Sequence, residues 1–230
     1  MDDVLIVGAG PAGAVAAIVL ARAGARVRLL DRAVFPRDKL CGDTVNPGAL
    51  GELRRLGLSE PVEAIGVRIE GMRVTGSRGV TVDGRYPNGL HGRAILRRDM
   101  DWALLRQAIA AGAAFESAVA VRAPIVVETG AATQVTGVTV GAKTHAHEFR
   151  ARVVIAADGR RSTLAFALGL ARHPAKPRRW AIGAYYESTR GRARSAPPPC
   201  TSTRRRAVRG PCARCPRPRA GASRCPTARA

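Results

Sequence analysis

The chain has 230 residues, with 38 Lys+Arg against 17 Asp+Glu and a formal net charge of +21. Hydrophobic residues make up 46 %, enough for a packed core, which excludes disorder along the whole length. No apolar run reaches the roughly 18 residues that a membrane-spanning helix needs, and the acidic opening Met1-Asp2-Asp3 argues against a secretory leader.

In chain order, Asp3–Val7 is a short apolar run that stops at Gly8, which predicts a buried parallel strand. Ala12–Ala23 follows as a helix closed by Gly24, and Arg26–Asp31 as a second strand, so the first unit is a strand–helix–strand crossover. Phe35–Asn46 is irregular, and a helix runs from Pro47 to about Leu56. Val67–Val74 and Val80–Val82 predict antiparallel strands. Asp99–Ala111 predicts an amphipathic helix with Trp102, Leu105, Ala108 and Ile109 at helical spacing. Phe115–Val121, Ile125–Glu128 and Gln134–Val140 read as strands with a hairpin at Gly130. Val153–Ala157 reads as another buried strand, Ser162–Leu168 as a short helix and Ala181–Tyr186 as a last strand.

The composition divides the chain in two. Thr189–Ala230 holds 12 of the arginines, 7 Pro, 8 Ala and 4 of the 5 cysteines, with no acidic residue and Val208 as its one large aliphatic. Such a segment cannot offset its ordering entropy by burial and is expected to be disordered. Residues 1–188 keep 26 basic and all 17 acidic residues and a single cysteine, Cys41, which fits a reducing cytoplasm rather than a disulfide scaffold. Cys212 and Cys215 have C-x-x-C spacing without a second ligand pair, and His145 and His147 alternate on one strand face without a third ligand, so no metal site is expected. Arginine clusters such as Arg204–Arg206 suit phosphate contacts, but the tail has no aromatics for stacking and no nucleic-acid partner is expected. Arg, Pro, Ala and Gly share codons that begin with two G/C bases, so the tail reads as a G/C-rich gene translated out of frame, with the shift near residues 188–196.

Gly8, Gly10 and Gly13 form G-x-G-x-x-G between the first strand and its helix. The first glycine permits the tight turn, the second lets a pyrophosphate approach the backbone and the third lets the helix pack on the strand. Free N–H groups at the helix start then face the anion. Asp31 ends the second strand, where a carboxylate can accept from ribose hydroxyls. The set points to a dinucleotide.

The stretch D-V-L-I-V-G-A-G-P-A-G-A-V-A-A-I-V-L-A-R-A-G-A-R-V-R-L-L-D resembles the amino-terminal FAD signature of glutathione-reductase-type flavoproteins. K-L-C-G-D-T-V-N-P-G-A-L (Lys39–Leu50) resembles the flavin-side loop and helix of the geranylgeranyl reductase family. R-R-D-M-D-W-A-L-L (Arg97–Leu105) and V-V-I-A-A-D-G-R-R-S (Val153–Ser162) resemble segments shared with hydroxylases of the p-hydroxybenzoate hydroxylase type. The resemblance covers about residues 2–188. It implies an α/β fold, with a Rossmann-like FAD-binding domain and an interleaved antiparallel β region.

By the same resemblance, Ala12 and Gly13 belong to the pyrophosphate turn and Asp31 to the adenosine ribose. Gly42, Asp43 and Val45 lie along the flavin-side loop. Arg97 approaches the phosphates or ribityl chain, Val121 meets the adenine through its backbone, and Asp158 and Gly159 shape a strand end near cofactor and nicotinamide donor. Plainer readings stand beside these: Arg97 as a solvated helix-start cation, Asp43 as an N-cap or turn residue, Asp158–Gly159 as a turn. Cys41 is either a thiol beside the flavin, the one weak catalytic candidate, or an inert packed thiol.

The resemblance implies an FAD-dependent oxidoreductase in which NAD(P)H drives reduction of an isoprenoid alkene. An aromatic or polyketide monooxygenase is the alternative, and the substrate is small and apolar or aromatic in either case. Related proteins carry a second flavin motif and most of the substrate cavity later in the chain, so a truncated, poorly soluble and non-catalytic fragment is a further expectation. A basic-tail binding protein, or peripheral contact with an anionic membrane, would rest on the tail alone.

Overall fold

Val4–Val7 of β1 (Asp2–Val7) is buried on both faces, which is why these four residues are continuously apolar rather than alternating. Val4 and Ile6 enter one core layer, with Ala14, Ala17 and Ile18 of α1 (Pro11–Arg22) and Leu104, Leu105 and Ala108 of a later helix. Leu5 and Val7 enter the other, with Leu30, Val138, Val140, Ala151 and Leu164. This computed structural model describes residues 1–130, 132–141, 146–175 and 184–185. The expected tail and His145 lie outside them, as does the expected strand at Ala181–Tyr186 except for Ala184 and Tyr185, which are in no helix or strand.

The remaining elements are β2 (Val27–Leu30), β3 (Thr44–Val45), α2 (Pro47–Arg55), α3 (Glu60–Ile65), β4 (Val67–Ile69), β5 (Gly71–Thr75), β6 (Thr81–Arg85), β7 (Gly92–Ala94), α4 (Arg97–Ala110), β8 (Ala114–Glu116), β9 (Val121–Thr129), β10 (Ala132–Val140), β11 (His147–Ala156) and α5 (Thr163–Ala167). The main sheet has the order β8-β2-β1-β11-β10-β9. Its first four strands are parallel, with Val4 opposite Val27 on one side and Val153 on the other. The fold is therefore α/β with a parallel sheet, as the first crossover unit implies.

β11 changes partner along its length. His147–Arg150 pairs antiparallel with β10, and Ala151–Ala156 runs parallel to β1. One long strand thus joins the parallel layer to the β9-β10-β11 meander, whose first turn is made by Gly130 at φ +61°. Small antiparallel sheets, β3-β7-β4 and β5-β6, occupy the interval between α1–β2 and α4. No helix among the described residues is long and apolar enough to cross a membrane.

Three expectations are corrected. The buried face of α4 is Asp101, Leu104, Leu105 and Ala108, whereas Ile109 is exposed and Trp102 only partly buried. Val67–Val74 is two strands in different sheets: Val67–Ile69 pairs with β7, and Gly71–Thr75 pairs with β6, where a Cβ on Gly71 would lie 2.2 Å from the Gly84 carbonyl oxygen. Phe115–Val121 is not one strand either. β8 stops at Glu116, Ala118 takes φ +60°, and Val119 N–H donates to the Asp31 carbonyl at 2.9 Å, which carries the chain across the end of β2.

Candidate cofactor site

Three chain segments meet at the carboxyl ends of β1, β2 and β11. Gly8 turns at φ +101°, and a Cβ there would lie 2.4 Å from the carbonyl oxygen of Ala157 and 2.6 Å from Asp158 Cα, so β11 closes directly onto the turn. A Cβ on Gly13 would lie 1.8 Å from the Gly8 carbonyl oxygen; the helix can approach only without one.

Gly10 is different. Its φ of −70° is open to any residue, and a Cβ there would meet only the guanidinium tips of Arg37 and Arg97, each at 3.6 Å. Nothing in the backbone's own packing requires glycine at this position. Its missing side chain keeps the start of α1 open, and no side chain caps that helix. First-turn N–H groups and two guanidiniums therefore converge on one space, the donor set that suits a diphosphate.

Asp31 is buried at the end of β2. Its Oδ2 accepts from Ala9 N–H at 2.8 Å and its Oδ1 from Ala33 N–H at 2.9 Å, so the carboxylate holds the glycine turn in place. Each oxygen keeps further acceptor capacity for a hydroxyl.

Asp43 sits at φ +48° in the loop before α2. Its Oδ1 accepts the first N–H of α4, from Arg97, at 2.9 Å, and its Oδ2 accepts from Tyr185 Oη at 2.8 Å, whereas the N-cap of the following helix α2 is Asn46 and not Asp43. The hydrogen bond that Tyr185 donates to Asp43, and then burial, push the Tyr185 hydroxyl up to about 12. Gly42 precedes Asp43, and Val45 packs into the core from β3, which pairs with β7.

Arg97 is one-fifth exposed and not a solvated cation. Burial works against its charge, but the 2.5 Å hydrogen bond from Nε to Asp101 Oδ1 prevails, and Arg97 holds its proton more tightly than usual. Arg37 reaches the same carboxylate from the loop after β2, with Nη2 3.2 Å from Asp101 Oδ2 and its guanidinium 4.8 Å over the Phe35 ring. Burial pushes the Asp101 carboxyl up, against the pull of Arg97 and Arg37. Desolvation, then repulsion by Arg37, Arg97 and Arg32, pushes Lys39 down. Lys39 thus stands among three arginines whose charge Asp101 only partly offsets.

Cys41 is exposed, which overturns the packed-thiol reading, and its Sγ lies 3.7 Å from Arg97 Nη1. Asp158 accepts from Thr163 N–H through Oδ2 at 2.7 Å, while its Oδ1 is buried without a partner; Gly159 turns at φ +85°. Val121 opens β9, pairs with Val140 and packs against the second core layer. Among the described residues no His, Cys, Asp and Glu cluster could hold a metal. Sequence reading missed Arg37 and Asp101. The one available signal was the i,i+4 spacing of Arg97 and Asp101.

Residues 1–185 match the family described as FAD binding domain. The chain belongs to this family. The glycine turn, the open helix start and the arginines over it fit the diphosphate of FAD. A menaquinone reductase from Mycobacterium tuberculosis is 39 % identical over 169 residues, which is 73 % of this chain and 40 % of that protein. Digeranylgeranylglycerophospholipid reductase 1 from Methanopyrus kandleri is 34 % identical over 169 residues, 73 % of this chain and 42 % of its own length. Among solved structures, a geranylgeranyl bacteriochlorophyll reductase-like protein from Thermoplasma acidophilum superposes with a TM-score of 0.61 at 25 % identity, covering 74 % of this chain and 42 % of the other. The chain thus matches over about two-fifths of the length of these curated relatives.

Proposed function

We propose that this FAD-binding chain serves an oxidoreductase that uses NAD(P)H to saturate an isoprenoid alkene. The observation that carries the cofactor half is Gly10, a glycine the backbone does not need, beneath two guanidiniums at an uncapped helix start. The substrate half is supported by relatives named as reductases, one of them of a digeranylgeranyl lipid. When bound, FAD supplies hydride-transfer chemistry, and the protein supplies placement, charge and exclusion of competing reactions. In this chain Asp31 fixes the turn that receives the dinucleotide, Asp43 fastens the flavin-side loop to α4, and the arginines neutralise the phosphates.

The experiment is an anaerobic incubation of the FAD-loaded protein with NADPH or NADH and a geranylgeranyl lipid, read by mass spectrometry. Saturated product, one added pair of hydrogens per double bond, is expected. Substrate-dependent oxygen consumption without saturation would replace the reductase reading with the monooxygenase one. FAD bound with neither reaction would make the chain a cofactor-holding module.

A further inference from the structure

Asp101 places a carboxylate with no exposed surface on the buried face of α4. A buried charge is costly unless paired, and an apolar side chain of similar volume would stabilise the helix as well or better. Its partners account for it. Arg97, one turn earlier, closes a hydrogen bond to Oδ1, and Arg37 forms an ion pair with Oδ2. The second contact is incomplete. Asp101 Oδ2 and Arg37 Nη1 are both buried with no hydrogen-bond partner, so Arg37 is held by charge without being locked. Both Nη2 atoms face the space that a Gly10 side chain would enter. Two guanidiniums from distant parts of the chain would repel each other there. One carboxylate behind them removes that repulsion and leaves a net positive charge in front.

We propose that Arg37 is a ligand of the cofactor's diphosphate alongside Arg97, and that Asp101 is the positioning residue that sets both guanidiniums at the start of α1. This rests on the FAD reading above. Arginine suits the task because its planar fork can meet carboxylate and phosphate at once, which a lysine cannot do. Holding both forks before the ligand arrives lowers the ordering cost of binding.

The test is titration of the full chain with FAD, and with ADP in competition, followed by flavin fluorescence. Wild type, R37M, R37K, D101N and R37M/D101N are compared, each with its own melting curve, and riboflavin, which lacks the diphosphate, is the control. R37M should weaken FAD and ADP together by about tenfold or more while riboflavin binding is unmoved. R37K should recover part of the loss. D101N should weaken FAD comparably, and the double variant should fall well short of the product of the two single losses, because Asp101 acts through the arginines.

Wild-type FAD affinity kept to within about twofold in R37M would overturn the assignment and leave the FAD reading standing. Equal weakening of FAD and riboflavin in D101N would overturn the positioning role. Should D101N fail to fold, the contrast between R37M and R37K decides the ligand role. A wild-type chain that binds no FAD would overturn this inference and the FAD reading together.

Discussion

The three glycines of the turn have different physical work, and substitution separates them. Gly13→Ala puts a Cβ 1.8 Å from a backbone oxygen that cannot move without displacing β1. It should cost roughly 3 kcal/mol or more, or prevent folding, as overpacking against backbone does. Gly10→Ala meets only flexible arginine tips at 3.6 Å, with an ordinary φ, so stability should hold within about 1 kcal/mol. FAD affinity should nevertheless fall by about tenfold or more, since the methyl group occupies the phosphate space. Chemical denaturation and flavin titration of the two variants check this; a Gly10→Ala protein with wild-type FAD affinity would move the phosphate seat elsewhere. The turn was legible in the sequence because its geometry is local. Arg37 and Asp101 were not, because their roles exist only when the loop after β2 folds against α4. Periodicity also favoured Trp102 and Ile109 over an acidic residue for the buried face, and the helix instead buries the acid to hold two cations.

Among the elements, α3 is fastened by charge rather than by length. Glu63 accepts from Arg54 of α2 at 2.8 and 2.9 Å and from Arg93 of β7 at 2.8 Å, tying two helices and a strand together. Hydrogen bonds from Arg54 and then Arg93 lower its carboxyl from 4.5 to about 2. The folded-state value is depressed, so the stabilisation is complete above about 4.5 and is lost as pH falls towards about 2. Denaturation midpoints measured across that window should decline more steeply in wild type than in Glu63→Gln, and identical slopes would show that Glu63 is not part of the acid response. Neither α3 nor β7 was legible in the sequence. Six residues are too few for a helical period, and Gly92-Arg93-Ala94 has no apolar alternation to announce a strand. β5 and β6 were visible as β-branched clusters, but the break between β4 and β5 was not, because it consists in a change of pairing partner from β7 to β6 that a run of β-branched residues does not mark.

At the scale of the whole molecule, the site is a product of topology. Its parts come from the β1–α1 turn, the end of β2, the loop holding Arg37 and Asp43, the start of α4 and the end of β11, residues spread from Gly8 to Asp158. The parallel crossover that brings β1 and β2 together was legible as a strand–helix–strand pattern. The partner change along β11, which delivers Asp158 to the turn, was not, because half of that strand pairs with the meander and reads as polar. A ligand that bridges so many segments binds only the assembled fold, so it must stabilise all of them at once. FAD at about one hundred times its Kd adds about 2.7 kcal/mol to such a fold, which for a chain of this size corresponds to a rise in Tm of about 5–10 °C. Melting curves at increasing FAD should show this rise as a single cooperative transition. The rise should shrink in Gly10→Ala, where the phosphate space is filled but the fold is kept. An unchanged Tm at saturating FAD would mean that these segments do not close around the cofactor together.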